Sequence, residues 1–155
     1  MAKILVVDDE EDILETLPEV LNRWGHQTLV AKDGLQGLEV YQKNPVDFVI
    51  TDIKMPEMDG LTLLKKIHEI DRKAMVIFLT GYPSLDSAIS AMRAGAYDYL
   101  VKPVNLDELK LRLERGIERL EHMKALPLLK GLNWALLVSI PLWLVLGIIL
   151  AKLLR

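Results

Sequence analysis

The chain has 155 residues, which is enough for one ordinary globular domain and little more. It contains no cysteine, so disulfide bonds, thiolate metal sites and cysteine nucleophiles are excluded. Residues 1–122 carry 15 Lys and Arg against 22 Asp and Glu, a net charge of −7, whereas residues 123–155 carry +4. The acidic front part argues against direct nucleic-acid binding, which depends on clustered Lys and Arg to neutralise phosphates.

Between residues 3 and 122, short apolar runs alternate with amphipathic segments. We predict strands near residues 3–7, 27–31, 46–51, 75–80 and 97–101, and helices near residues 10–24, 34–43, 59–70, 84–94 and 105–122. Alternating units of this size predict a doubly wound α/β fold, in which helices cover both faces of a parallel sheet. Asp33 and Asn105 each stand three residues before an amide or acid side chain, which is typical of helix starts.

Two of the predicted strands end on acidic residues. The run at residues 3–7 is followed by Asp8 and Asp9, and the run that begins at residue 46 ends at Asp52. In an open parallel sheet, ligands bind beyond the carboxyl ends of the strands where the strand order reverses, so we expect these three carboxylates to converge. They would repel one another, and oxygen ligands favour neutralisation by Mg2+. We interpret the next three residues, 10–12, as caps of the following helix.

Two further polar side chains follow neighbouring strands. Thr80 ends the fourth predicted strand and Lys102 follows the fifth, so the same topology directs a hydroxyl and an ammonium into the acidic crevice. These side chains, together with a bound metal ion, are suited to forming and stabilising an aspartyl phosphate. Asp52 would attack phosphorus, Mg2+ and Lys102 would neutralise the phosphoryl oxygens, and Thr80 would donate a hydrogen bond to one of them. A single Thr or Lys is a weak signal, but their order along the chain makes the set specific.

The order of these motifs resembles the receiver domains of two-component response regulators. The residues that carry the resemblance are the acidic pair in VVDDE, Asp52 in DIKMPEMDG, Thr80 in LTGY, and Lys102 with Pro103 in AYDYLVKP. The last motif is most similar to receivers of the nitrogen-regulation type. The resemblance covers about residues 2–122. It implies a flavodoxin-like sheet ordered 2-1-3-4-5, a cis peptide bond before Pro103, and a sensor histidine kinase as the phosphoryl donor.

The resemblance also implies a switch. After phosphorylation, Thr80 moves towards the phosphoryl group and Tyr99 rotates into the vacated space, which remodels the face made by the fourth helix, fifth strand and fifth helix. We expect that face to bind an output partner, which the sequence does not identify, or a second copy of the chain. Lys54, two residues past Asp52, is a candidate modulator of water access to the phosphoryl group. The expected chemistry is self-phosphorylation and self-dephosphorylation, not catalysis on a separate substrate.

The composition changes after residue 122. Beyond a predicted linker at residues 123–131, residues 132–151 contain no charge, and a helix of 20 residues rises roughly 30 Å, the thickness of a membrane core. We predict a transmembrane helix that acts as a tail anchor for a receiver domain at residues 1–122. More Lys and Arg precede this segment than follow it, which predicts a cytoplasmic receiver at the inner membrane. The first apolar run is too short for a signal peptide.

Three functions stay open from the sequence. The leading hypothesis is a membrane-anchored single-domain response regulator, because no segment resembles an output domain. The second is a phosphate sink that drains phosphoryl groups from a kinase. The third is a soluble oligomeric receiver in which residues 132–151 form a packing helix. A phosphatase-type hydrolase is disfavoured, since such enzymes commonly carry a second Asp where Lys54 stands.

Overall fold

The computed structural model describes residues 1–123, and these form alternating strands and helices. The strands are β1 (Lys3–Val7), β2 (Gln27–Ala31), β3 (Phe48–Thr51), β4 (Met75–Thr80) and β5 (Asp98–Val101). The helices are α1 (Glu11–Arg23), α2 (Gly34–Lys43), α3 (Gly60–Ile70), α4 (Leu85–Arg93) and α5, which covers residues 106–123. Every strand and helix predicted for this part of the chain is therefore present, with small shifts at the ends.

All five strands run parallel in the order β2-β1-β3-β4-β5, which confirms the predicted doubly wound sheet. β1 pairs with β2 on one side and with β3 on the other, so the strand order reverses between β1 and β3. Val7 lies beside Thr51 in this register. The residues that follow these two strands therefore leave the sheet side by side, at the edge where ligands bind in folds of this kind.

The central strands β1, β3 and β4 are buried on both faces, in keeping with their continuous apolar runs. On one face, Leu5, Val49 and Val76 belong to a cluster with apolar side chains of α2, α3 and α4. On the other face, Leu79 lines a cavity with residues of α1. The backbone of Gly116 in α5 approaches the ring of Phe48 so closely that a Cβ atom would lie 2.4 Å from its Cζ. Helices thus cover both faces, which holds the strand ends in fixed positions.

Side-chain caps begin several of these helices. The Asp33 carboxylate accepts a hydrogen bond from the Gln36 N–H at 2.8 Å, and the Gln36 side chain accepts one from the Lys32 N–H at 2.8 Å. The Asn105 side chain accepts one from the Glu108 N–H at 3.1 Å at the start of α5. The predicted helix starts at Asp33 and Asn105 are confirmed, because each cap satisfies an N–H that has no partner within its helix.

The predicted transmembrane helix at residues 132–151 lies outside the described residues, as does the predicted linker apart from residue 123. Within residues 1–123, no helix combines the length and the apolar character needed to cross a bilayer. The chain divides into two compact units, Met1–Gly116 and Ile117–Arg155, and the first contains the whole sheet. The domain boundary at residue 122 and the hydrophobic helix stay predictions.

Gly60→Ala is expected to lower the free energy of unfolding by about 3 kcal/mol, because the new Cβ would lie 2.0 Å from the Asp52 carbonyl oxygen. Gly60 begins α3, and its N–H donates to the Ile53 carbonyl at 2.9 Å, so the backbone cannot move away without losing that hydrogen bond. Urea denaturation measures the change. Gly81→Ala is the control, since its Cβ would meet only Lys102 Cδ at 3.8 Å. An equal loss in both variants would contradict this explanation.

Candidate functional site

Asp8 and Asp52 extend β1 and β3 at the carboxyl edge of the sheet. Both side chains are buried, with 2% and 4% of their residue surface exposed. The Asp8 N–H donates to the Ala31 carbonyl at 3.1 Å, and the Asp52 N–H donates to the Val7 carbonyl at 3.1 Å. These hydrogen bonds continue the sheet by one residue, so both carboxylates start from rigid backbone.

The ammonium of Lys102, which follows β5, lies among three carboxylates. Its Nζ contacts Asp8 Oδ2 at 2.8 Å, Glu10 Oε1 at 2.6 Å and Asp52 Oδ2 at 3.1 Å. Burial alone lowers the pKa of Lys102, but the hydrogen bonds to Asp8, Glu10 and Asp52 raise it more, so the net pKa lies above the ordinary value. The ammonium therefore stays charged at physiological pH.

The backbone around Lys102 is also fixed. Its N–H donates to the Thr80 carbonyl at 2.8 Å, which pairs the end of β5 with the end of β4. The peptide bond between Lys102 and Pro103 is cis, the form that the family resemblance implies. The ammonium is thus carried by a well-defined strand end.

Negative charge exceeds positive charge in this pocket. Burial raises the pKa of Asp8, and the charge of Asp52 acts in the same direction, whereas Lys102 and the Glu10 N–H, at 3.0 Å, act against it. Three ionised carboxylates against one ammonium leave a net charge of −2. This excess is the physical reason for the pocket to bind a further cation.

The carboxylates of Asp8, Glu10 and Asp52 offer oxygen atoms that all lie within 4.8 Å of one another. A set of oxygen ligands that is partly open to solvent through Glu10 fits Mg2+, which binds one or two carboxylates and completes its shell with water or phosphate oxygens. Asp9 is exposed and lies outside this group of carboxylates within residues 1–123. The structure thus brings together two of the three predicted ligands, and the role of Asp9 stays a prediction.

Glu10 was missed as a member of the site. It occupies the N-cap position of α1 but makes no side-chain cap there, so its interpretation as a capping residue was wrong. The attraction of the Lys102 ammonium at 2.6 Å explains this, because the carboxylate turns into the pocket instead. Glu11 and Asp12 do lie in the first turn of α1, where acidic side chains favour the helix dipole. The position of Glu10 directly after the acidic pair was the available signal.

The two oxygens of the Asp52 side chain have different partners. Oδ1 accepts hydrogen bonds from the backbone N–H groups of Ile53 and Lys54, the second at 3.2 Å. Oδ2 faces the Lys102 ammonium at 3.1 Å. The plane of the carboxylate is therefore fixed, and one oxygen points to the group that can neutralise an incoming anion.

The predicted switch and modulating residues lie around this pocket. Thr80 is fully buried at the end of β4, and its hydroxyl accepts a hydrogen bond from the Tyr82 N–H at 3.2 Å. Tyr99 is half-buried on β5, and its hydroxyl lies 3.0 Å from the hydroxyl of Ser87 in α4. The Lys54 ammonium lies 4.9 Å from the centre of the Tyr82 ring. Thr80 and Lys54 thus share Tyr82 as a neighbour.

Sequence reasoning did not identify Tyr82 or Ser87. Ser84 and Ser87 form a reciprocal capping box at the start of α4, and two serines at this spacing after a proline are a recognisable helix start. The contact between Ser87 and Tyr99 joins residues on different elements, and it depends on how α4 packs beside β5. The spacing of residues along the chain carries no signal for it.

The fold is a doubly wound parallel sheet of the flavodoxin-like class. Its carboxyl edge carries buried aspartates, a buried threonine and a charged lysine, and this set of side chains is suited to accepting a phosphoryl group. The sequence model of the response regulator receiver domain matches residues 4–114, and this chain belongs to that family. Receiver domains accept phosphoryl groups from histidine kinases and bind Mg2+ at an acidic pocket such as this one. Residues 4–114 are accordingly a phosphoaccepting receiver domain of a two-component response regulator.

Several known proteins are similar to this chain. Sporulation initiation phosphotransferase F of Bacillus subtilis is 41% identical over 108 residues, which cover 70% of this chain and 87% of that protein. Transcriptional regulatory protein ZraR of Klebsiella oxytoca is 40% identical over 114 residues, which cover 74% of this chain and 26% of the regulator. The chain therefore spans about a quarter of the length of that regulator. A crystal structure of a response regulator receiver domain protein from Clostridium thermocellum is 40% identical, has a TM-score of 0.76 and covers 79% of this chain and 99% of its own.

Asp8→Asn is expected to raise the free energy of unfolding of the metal-free protein by about 1 kcal/mol at pH 7, because Lys102 keeps two carboxylates while one buried charge is removed. Burial raises the pKa of Asp8, so its ionised form costs stability above that pKa. The advantage of the variant should shrink as the pH falls through the raised pKa, where the wild-type carboxyl becomes neutral. Urea denaturation at several pH values measures both effects.

Asp9→Asn is the control for this experiment, because Asp9 is exposed and lies outside the carboxylate group. It should change the stability of the metal-free protein little. In the same series, Mg2+ should stabilise the Asp8→Asn variant less than the wild type, since one ligand is lost. An Asp8→Asn variant that is less stable than the wild type at pH 7 would disprove the charge-excess explanation.

Proposed function

We propose that this chain is a membrane-anchored phosphorylation switch whose receiver domain accepts a phosphoryl group from a sensor histidine kinase on Asp52. The main support is the contact of 3.1 Å between Asp52 Oδ2 and the Lys102 ammonium, within a pocket that also contains Asp8 and Glu10. A phosphoryl donor brings negative charge towards a carboxylate. Such an approach requires a positive group that is already in place.

In the proposed reaction, an Asp52 oxygen forms a bond to phosphorus as the bond from phosphorus to the histidine nitrogen of the kinase breaks. The electron pair of the broken bond stays on the imidazole, which takes a proton. The N–H groups of Ile53 and Lys54 hold the carboxylate in its plane, so little reorientation is needed. The Lys102 ammonium neutralises the developing charge, and bound Mg2+ would supply further neutralisation of the phosphoryl oxygens.

The proposed switch begins at Thr80. Its hydroxyl turns from the Tyr82 N–H to donate to a phosphoryl oxygen, and Tyr99 rotates into the vacated space. This rotation separates the Tyr99 hydroxyl from Ser87 in the first turn of α4, which are 3.0 Å apart before phosphorylation. The change therefore reaches the face made by α4, β5 and α5.

Apolar side chains on α4 support an interaction at that face. Leu85, Ile89 and Met92 are 77%, 40% and 51% exposed. They follow one another at intervals of four and three residues, so they share one side of the helix. Exposed apolar patches of this kind mark sites of protein interaction. The proposed occupant is an output protein or a second copy of the chain.

The membrane anchor is supported by the uncharged run at residues 132–151, which lies outside the described residues. Its length matches a membrane core, and more Lys and Arg residues precede it than follow it. On these grounds we propose that the receiver lies on the cytoplasmic side of the inner membrane. The proposed chemistry is phosphoryl acceptance and self-dephosphorylation, without turnover of a separate substrate.

One observation favours a phosphate sink as the second candidate function. The region matching the B. subtilis phosphotransferase covers 87% of that protein, so a region similar to this receiver domain makes up nearly all of a known phosphotransferase. A sink needs rapid loss of the phosphoryl group and no phosphorylation-dependent partner. The contact of Lys54 with the Tyr82 ring is a feature that could set this rate, through access of water to the site.

Asp52→Asn is expected to abolish labelling of the protein by radioactive acetyl phosphate in the presence of Mg2+, because an amide nitrogen and oxygen do not replace the nucleophilic carboxylate. Gel autoradiography after short incubation measures the incorporation. Asp59→Asn is the control, since Asp59 caps α3 and Asn caps a helix equally well. Undiminished labelling of Asp52→Asn would show that another residue accepts the phosphoryl group.

Carbonate extraction of cell membranes tests the anchor. We expect the full chain to stay in the membrane pellet and a version that ends at His122 to be released, because the uncharged run favours insertion by several kcal/mol. Immunoblots of pellet and supernatant measure the distribution. Release of both versions would favour the soluble oligomeric receiver in which residues 132–151 pack against other copies.

A further inference from the structure

A group of positive side chains lies at the amino edge of the sheet, opposite the phosphorylation pocket. Lys65, Arg72 and Arg93 line one surface depression of about 650 Å³, together with His68 and a single carboxylate, that of Glu69. Three cations against one carboxylate leave a net charge of +2. Lys65, Arg72 and Arg93 are called the basic edge below.

The basic edge has no partner within the part of the chain that the structure describes. The side chains of Lys65, Arg72 and Arg93 are exposed and form no ion pair with residues 1–123. A cation in the last turn of a helix offsets the helix dipole, which accounts for Arg93 at the end of α4. It does not account for Arg72, which lies beyond the end of α3. The positive field is therefore directed into solvent.

The depression has a rigid floor. The His68 Nε2–H donates to the Ala74 carbonyl at 3.2 Å, which ties the end of α3 to the start of β4. A Cβ atom at Gly95 would lie 3.0 Å from His68 Cε1, so the segment after α4 packs directly on this ring. The ends of α3 and α4 are thus held together, and Lys65 and Arg93 keep a fixed relation to each other.

The first compact unit of the chain ends at the same edge of the sheet. Gly116, its last residue, lies against Phe48, the first residue of β3. Residues 116–123 belong to α5 and rise about 10 Å, and the chain from residue 123 to residue 132 can extend at most about 31 Å further. A membrane-embedded segment that begins at residue 132 would therefore keep the amino edge of the sheet within about 40 Å of the bilayer.

We propose that the basic edge binds the anionic headgroups of the membrane that holds the tail, so that the receiver domain rests on the bilayer by its amino edge. This inference rests on the proposed membrane anchor. Lys and Arg side chains are attracted to an anionic leaflet, and a short tether makes even weak attraction effective by raising the local concentration. The phosphorylation pocket at the carboxyl edge then faces away from the bilayer, where a kinase can reach it.

The test uses the full chain reconstituted into vesicles. Because the protein has no cysteine, Ile70→Cys beside the basic edge provides a single position for a fluorescent donor, and a labelled lipid serves as acceptor. Energy transfer should be about twofold higher when about one third of the phosphatidylcholine is replaced by phosphatidylglycerol. The difference should be present at about 0.05 M salt and absent at about 0.5 M, because salt screens the attraction.

Arg72→Ala/Arg93→Ala should lose the dependence on phosphatidylglycerol. Lys32→Ala/Lys110→Ala is the matched control, because it removes two exposed cations that do not line the depression and should keep the dependence. Both double variants should be labelled by acetyl phosphate as fast as the parent, which shows that they are folded. Equal energy transfer on the two vesicle types, or equal loss in both double variants, would overturn the proposal.

Flotation of the same samples separates this inference from the anchor. One outcome is that the full chain floats with both vesicle types while energy transfer does not depend on phosphatidylglycerol. That result would support the membrane anchor and contradict lipid binding by the basic edge. If the chain floats only with the vesicles that contain phosphatidylglycerol, and Arg72→Ala/Arg93→Ala no longer floats with them, the basic edge binds lipid and the prediction of a membrane anchor is wrong. If the chain floats with neither vesicle type, both proposals fail.

Discussion

The contact of one ammonium with three carboxylates is the interaction on which the rest of the site depends. Asp8 and Asp52 are almost completely buried, and two such charges side by side would be unfavourable without a cation between them. Lys102 supplies that cation from a third strand end, and its backbone is held by Thr80. The parallel sheet brings the three carboxylates and the ammonium together, because β1, β3 and β5 all end at the same edge. The remaining negative charge gives the pocket its capacity for a metal ion and, through the metal, for a phosphoryl group.

Most of the fold followed from the sequence because each of its signals is local. Alternating apolar runs predicted every strand, and side chains such as Asp33 and Asn105 marked helix starts that the structure confirms. The convergence of Asp8 and Asp52 also followed, since it needs only the rule that ligands bind where the strand order reverses. The membership of Glu10 in the site did not follow. Whether the Glu10 side chain turns into the pocket depends on the exact residue at which α1 starts and on the position of the Lys102 ammonium. The spacing of residues along the chain predicts neither.

The connection from the pocket to α4 was harder to predict for a related reason. Thr80 was predicted from the strand topology and Tyr99 from the family resemblance, but their present partners are the N–H of Tyr82 and the hydroxyl of Ser87. Tyr82 lies in the loop that leads from β4 into α4, and Ser87 lies in the first turn of α4. The loop after β4 is therefore shared between the acceptor site and the helix whose exposed face is the proposed output surface. Its position results from packing across elements, which a single sequence does not reveal.

The hydroxyl of Ser87 has only one proton to share among its neighbours. It lies 2.9 Å from the Ser84 carbonyl, to which it can donate, and 3.0 Å from the Tyr99 hydroxyl, which can then act as the donor. When Tyr99 turns away, Ser84 and Ser87 keep their reciprocal cap, and α4 loses no hydrogen bond of its own. The proposed inward movement would therefore break one hydrogen bond between side chains, worth about 1 kcal/mol, and would leave the cap of α4 intact. The start of α4 can thus stay ordered while the ring beside it changes position.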